Sequence, residues 1–215
     1  MSRGRARARS PEDQELVRQK FLACARTVFS TTGAHGLTMR RLAAEAGYSP
    51  GTIYLYFSSR QDLLWEIWRE DMVGLYNSVR EAFEAPDAAP LRVLRNVLAA
   101  YATFWLGKPD HFRGMFMEND REYLDERASF VGDDSVQKVH DLLLAATAAA
   151  LPDTAPEPEQ IRLMTHSLLA AVHGVVALHI GAGAFPWAPA PAMLDVVLDS
   201  LLSGLNPTRV GAGAA

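Results

Sequence analysis

The sequence predicts an all-α protein of about nine helices, with a small three-helix N-terminal unit ahead of a larger helical body. Three observations predict it. Apolar residues return every three or four positions along nearly the whole chain, the period of a helix with one buried stripe. Gly and Pro interrupt the stripes at intervals and so stop and start helices. No stretch alternates apolar and polar residues over a strand's length, and no segment repeats another.

The elements follow in order. Leu16, Phe21, Cys24, Ala25, Val28 and Phe29 mark one face of a first helix at about residues 11–31, ended by Gly33 and Gly36. Met39, Leu42, Ala43 and Ala46 then fall at i, i+3, i+4 and i+7, with Thr38 as N-cap and Gly47 as stop. Ser49 caps a third helix, and Pro50 takes its first turn, where the missing N–H costs nothing. Ile53, Tyr56 and Phe57 give that helix its inner face. Ser59 with Asp62 three residues later resembles a capping box and opens a fourth helix to about Phe83, with Leu64, Ile67, Trp68, Met72 and Leu75 as its stripe. Beyond "EAPDAAP" at 84–90, helices are expected at about 90–107, 109–117, 119–150, 157–181 and 190–204. Pro109, "LPDTAPEPE" and "GAGAFPWAPAP" separate them. Residues 1–10 read as a disordered basic arm, 11–58 and 59–204 as two domains, and 205–215 as a disordered tail.

Composition narrows the class. The 215 residues suffice for one large domain or two small ones, and 49% hydrophobic with 21% charged residues is ordinary for a globular protein. No run approaches the ~18 uninterrupted apolar residues of a membrane span, so no membrane is expected. "MSRGRARARSPEDQ" is basic but lacks an apolar stretch behind it, unlike a secretory signal. The single cysteine, Cys24, allows no internal disulfide, suits a reducing cytoplasm, and reads as a small buried hydrophobe. The formal net charge of −4 conceals an asymmetry, since residues 1–60 carry +6 and the remainder −10. Without the arm, residues 11–60 still carry +2. A basic end on an acidic body indicates that one end meets a polyanion, although four of those arginines also fit a merely solvated arm.

Two short helices joined by "AGYS" make a helix-turn-helix, in which the third helix is displayed as a probe for a duplex groove. "LTMRRLAAEAGYSPGTIYLYFSSRQDLL" resembles the helix-turn-helix of the TetR family of transcriptional repressors. The likeness lies in the Leu-Thr opening, Arg40, Leu42-Ala43, Ala46-Gly47, Ser49, the Gly-Thr-Ile-Tyr run, Tyr56-Phe57 and the basic Arg60 ahead of Leu63. It covers roughly residues 12–65. "AAVHGVVALHI" at 170–180 is similar to a His-Gly motif in one branch of TetR-type C-terminal domains, with Val172 where an aromatic often precedes the His. The resemblance implies that the first three helices bind DNA while the rest binds a small ligand and a partner subunit. It also implies a homodimer through the last two helices, set on a palindromic double-stranded operator.

By position, the resemblance places Arg40, Pro50, Gly51 and Tyr54 nearest the base edges, and Thr38, Tyr48, Thr52, Tyr56 and Arg60 at phosphates. The chemistry agrees. Arginine donates in bidentate fashion to guanine, and tyrosine and threonine hydroxyls suit phosphate oxygens. Plainer roles stand beside these: Thr38, Ser49 and Ser59 are helix caps, Arg60 alone is a surface charge, and Tyr56 fits either a wedge against the first helix or a phosphate contact. Tyr54 is left outside because Ile53 and Phe57 claim the inner face. The third helix has few polar side chains, so specificity rests on Arg40, thymine methyl groups and DNA shape. Arg41 occupies a first turn, where the helix dipole disfavours a cation, and a nearby phosphate would offset this. The arm fits a minor groove or a free extension.

In the body, Tyr101, Phe104, Trp105, Phe112, Met115, Phe116, Met117 and Tyr123 crowd one region, and most of them read as core. The resemblance implies a cavity there for a small apolar or aromatic effector, lined by Phe104, Phe112, Phe116 and His173. His173 beside Gly174 marks a close helix approach or a hydrogen bond inside the cavity. His166 and His173 share a helix face, but no Cys or Glu stands at ligand spacing, so neither metal nor cofactor is expected. Nucleophile elbow, P-loop, dinucleotide glycine motif and His-Glu metal signature are all absent, and the carboxylates of "ENDREYLDERASFVGDD" read as solvated. The sequence therefore names no catalytic residue. One rival remains, a helical small-molecule-binding or interaction protein with a vestigial DNA-binding motif, and the charge split argues against it.

Overall fold

The computed structural model describes residues 10–33, 36–86, 89–117, 133–151 and 156–203, and every regular element among them is an α-helix. In chain order these are α1 (Pro11–Thr32), α2 (Met39–Glu45), α3 (Pro50–Ile53), α4 (Arg60–Phe83), α5 (Pro90–Leu106), α6 (Pro109–Phe116), α7 (Asp134–Ala150), α8 (Pro158–Gly181) and α9 (Ala190–Ser203). They fall into two compact units, divided in sequence between Trp68 and Arg69. The arm, the tail and residues 118–132, with Tyr123 and most of the acidic run, lie outside the described residues.

In the first unit α1 opens on a full capping box, with the Ser10 hydroxyl accepting the Asp13 N–H and the Asp13 carboxylate accepting the Ser10 N–H. Its buried stripe is Val17, Phe21, Leu22, Ala25, Val28 and Phe29. Leu16, expected on that stripe, is 70% exposed, because Val17 sits one helical turn before Phe21 and takes the inward place. Cys24, expected buried, is half-buried. Thr38 caps α2 by accepting the Arg41 N–H. The chain then turns at Gly47, whose φ of 78° is a left-handed conformation that a side chain disfavours. The turn is held by the Tyr48 N–H donating to the Ala43 carbonyl at 2.8 Å. Ser49 stands at the N-cap of α3 without capping it, since its hydroxyl pairs with that of Thr52 at 2.8 Å. Ser59 does accept the Asp62 N–H ahead of α4, but the Asp62 carboxylate reaches back to the Ser58 N–H, one residue beyond the reciprocal partner of a capping box.

In the second unit α5 packs against α7, α8 and α9, α8 against α7 and α9, and α6 against α5 and α8. Leu75, Val79, Leu94, Leu98, Trp105, Leu143, Val172, Val176 and Leu198 fill the core. Among the described residues α8 alone is long and apolar enough to cross a membrane; a third of its apolar window is buried, with Leu168, Val172, Val175, Val176 and Ile180 turned into the core of the unit. Polar ties cross between helices. The buried Asp71 carboxylate accepts Lys108 Nζ at 2.7 Å and also pairs with His111, fixing α4 to α6. Arg95 on α5 reaches Asp195 and Asp199 on α9. The Arg113 guanidinium donates to the Ile180 carbonyl at 2.9 Å, satisfying an acceptor at the end of α8. The single helix expected over 119–150 is corrected at its start. Asp133 is extended at φ −74° and ψ 130°, and its carboxylate accepts the Ser135 N–H, so α7 begins at Asp134.

Candidate nucleic-acid interface and helical cavity

Ile53 and Phe57 are buried in the first unit, one at the end of α3 and the other four residues on. Between them the chain continues as a tight turn, the Leu55 N–H bonding the Thr52 carbonyl and the Tyr56 N–H bonding that of Ile53. Anchored on both sides, this turn leaves Tyr54 56% and Leu55 81% exposed. Thr38, Arg40, Pro50 and Gly51 are also exposed, and Arg40 makes no ion pair or hydrogen bond among the described residues. Tyr48, Thr52, Tyr56 and Arg60 are half-buried and already in use inside the protein. The Tyr56 ring lies 5.7 Å from that of Phe21, and Tyr48 packs between Phe21 and the Lys20 ammonium. Arg60 donates from Nε to the Leu37 carbonyl at 2.8 Å, tying the start of α4 to the approach to α2.

Arg41 needs no phosphate to explain its place. Its Nε pairs with Glu45 at 2.8 Å and its Nη1 donates to the Gly36 carbonyl, so the cation is balanced within the unit. Leu55 and Lys20 were not singled out in the sequence. Leu55 carried a signal, because the two inward positions at Ile53 and Phe57 leave it outside together with Tyr54. Lys20 carried none, since its neighbour Tyr48 is 28 residues away.

The second unit holds a half-open cavity of about 470 Å³ whose walls include Met72, Leu75, Phe116, Val139, Leu143 and Leu169. Among the described residues no Asp, Glu, Lys or Arg lines it; the polar side chains that do are Tyr101, His140, His166 and His173. His140 and His166 bridge α7 and α8 with their Nε2 atoms 3.0 Å apart. The Tyr101 hydroxyl lies 2.7 Å from His173 Nδ1. Burial pushes the Tyr101 phenol well above its ordinary range and pushes His173 below the usual imidazole value, so both are neutral near pH 7. The Trp105 indole N–H is buried without a hydrogen-bond partner among the described residues. Among the described residues the Tyr101 hydroxyl has His173 Nδ1 as its hydrogen-bond partner, so its own proton is donated there. The proton of neutral His173 then sits on Nε2.

Of the expected lining residues, Phe116 and His173 line this cavity. Phe112 is fully buried behind them, its ring 4.8 Å from that of His173. Phe104 lies elsewhere, lining an open groove with Ser78, Asn96 and Thr103 and packing over Gly74, where a Cβ would stand 3.1 Å from its ring. Gly174 borders the cavity, and a Cβ there would meet nothing within 4 Å, so the His-Gly pair marks a hydrogen bond beside open space rather than a close helix approach. His179 faces away, bonded to the carbonyls of Val175 and Ala188. Among the described residues no group of three or more His, Cys, Asp or Glu side chains is placed to hold a metal.

The sequence matches the family described as bacterial regulatory proteins, tetR family, over residues 21–67. It matches the tetracyclin repressor-like C-terminal domain over residues 94–204, more than half of the chain. It is 36% identical over 95 residues to the HTH-type transcriptional regulator AcrR of Shigella flexneri, a match covering 43% of each chain. The chain thus spans less than half the length of that curated relative. Among solved structures, a protein of unknown function from Rhodococcus sp. RHA1 superposes with a TM-score of 0.70 at 22% identity, covering 94% of this chain and 99% of that one. A TetR variant from Acinetobacter baumannii AYE in complex with minocycline gives a TM-score of 0.62 at 17% identity, covering 88% and 96%. At these identities the structural likeness concerns the fold alone.

Proposed function

The chain belongs to the tetR family of bacterial regulatory proteins, non-enzymatic helix-turn-helix transcriptional regulators, and on that premise we propose that it is a ligand-responsive repressor acting as a homodimer on a palindromic operator. The observation that carries the reading is the anchored turn after α3, which holds an aromatic and an aliphatic side chain in solvent between two buried ones. Solvent alone gives no reason to display Tyr54 and Leu55 on so short an element, whereas a major groove does. In this reading residues 11–58 bind DNA. Arg40, Pro50, Gly51 and Tyr54 stand at the base edges, and Thr38, Tyr48, Thr52, Tyr56 and Arg60 at phosphates. Residues 59–204 bind the effector and the second subunit.

Dimerisation through α8 and α9 is supported by Leu163, Leu178, Val196 and Leu201, all exposed on those two helices. The apolar cavity supports a small effector, and the minocycline complex of the Acinetobacter protein shows that a related fold holds a small molecule. The protein then works in the cytoplasm, where its operator is. Effector binding weakens the operator complex through a coupling of about 1–3 kcal/mol. The test is selection from a random duplex library at two salt concentrations. A palindrome with steep salt dependence is expected, and retention of no sequence in particular would overturn the operator reading. Sedimentation of the same sample should give a dimer that Leu163→Glu with Val196→Glu converts to monomer.

A further inference from the structure

The cavity's polar groups define the chemistry of what it holds. Tyr101 and His173 meet in its wall as two neutral groups, and the phenol O–H donates to His173 Nδ1. The remaining ring nitrogen, Nε2, carries a hydrogen and has no partner among the described residues. Phe112 and Phe116 flank the imidazole with ring centroids 4.8 and 4.9 Å away, so the donor sits in apolar surroundings. An unpaired N–H there favours a ligand that brings an acceptor. Among the described residues the cavity offers no Lys or Arg to a carboxylate and no Asp or Glu to an ammonium. The other two polar rings, His140 and His166, are paired with each other through Nε2. A charged ligand would thus leave water without a counter-ion to meet it.

Resting on the effector reading above, we infer that the cavity binds an uncharged carbonyl compound, a ketone or ester with an apolar chain, whose oxygen accepts the His173 Nε2–H. An alcohol fits less well, because its own hydrogen would find only hydrocarbon. Tyr101 is a positioning residue: it fixes the tautomer and does not reach the ligand's oxygen.

The experiment uses the purified full-length protein and three probes of equal length, octan-2-one, octanoate and octylamine, titrated by calorimetry at about pH 7.5. Octan-2-one should bind about tenfold or more tighter than either charged probe. His173→Phe, which keeps a ring of similar size, should lose most of that affinity while keeping a cooperative thermal unfolding transition. Tyr101→Phe should lose part of it. In 15N spectra of the unliganded protein, His173 should show a protonated Nε2 and an unprotonated Nδ1, and Tyr101→Phe should erase that preference. No binding of octan-2-one, equal binding of octanoate or octylamine, or a proton on Nδ1 would each overturn the inference. Release of a selected operator duplex is scored separately. Ketone binding without release would leave the ligand class standing and overturn the effector role. Release by octanoate without ketone binding would do the reverse.

Discussion

At Gly47 a single hydrogen atom in place of a side chain decides whether α3 can be displayed. The residue sits at φ 78° with nothing within 4 Å of the position a Cβ would take, so only backbone strain opposes a larger residue. Gly47→Ala should therefore lower stability by about 1–2 kcal/mol, readable as a drop in the unfolding temperature of the first unit. Unchanged stability would mean that the turn relaxes freely. Tyr54 and Arg60 separate two kinds of effect. Tyr54 is exposed and anchored through its neighbours, so Tyr54→Ala should weaken binding to a selected operator by roughly tenfold and leave the unfolding temperature alone. Arg60→Ala should lower both, since the Leu37 carbonyl loses its donor, by about 1 kcal/mol of stability. Loss of operator affinity in neither variant would remove both residues from the interface. Tyr54 was legible in the sequence because what exposes it is local, two inward residues four positions apart. The partners of Arg41 and Arg60 were not, because Gly36, Thr32 and Leu37 come within reach only once α2 folds back toward α1.

The helices themselves were readable wherever chemistry punctuates them. Pro11, Pro50, Pro90, Pro109 and Pro158 each open one, and Gly33 and Gly107 follow two of them. The start of α7 was not, because Asp133 lies within a run of acids that gives no sign of which one caps. Pairings between elements were also illegible. His140 meets His166, and Asp71 meets Lys108 and His111, across spans of 26 to 40 residues that no local pattern encodes. Helix α8 offers a test at this scale. Gly174 lies within it at the edge of the cavity with open space beside it. Gly174→Ala should raise stability by about 0.5–1 kcal/mol, through helix propensity alone, while taking volume from the cavity. A stabilised protein with weaker octan-2-one binding is the expected pair of results. A destabilised protein would mean that a neighbour closes on Gly174 after all.

For the molecule as a whole, the neutral pair inside the cavity links stability to pH, and the sign follows from burial. Burial lowers the His173 pKa from its ordinary 6.5, so the native protein refuses a proton that the unfolded chain accepts. Above about pH 6.5 neither state holds that proton, and the stability is complete. As the pH falls from there toward the lowered native value, the unfolded chain takes up a proton first and stability declines; below the native value it declines no further on this account. Protonation of Nδ1 would also cost Tyr101 its acceptor, so acid should loosen the cavity wall. His140 and His166 face the same space, and His111 is held by Asp71, so the wild-type curve alone mixes several groups. The difference between wild type and His173→Phe isolates the one in question. Between about pH 7.5 and 5.5 the wild-type unfolding temperature should fall further than that of His173→Phe, and octan-2-one, which binds the neutral ring, should lose affinity over the same interval. Parallel curves for the two proteins would show that His173 takes its proton in the native state as readily as in the unfolded one, and the neutral donor on which the cavity's chemistry depends would be gone.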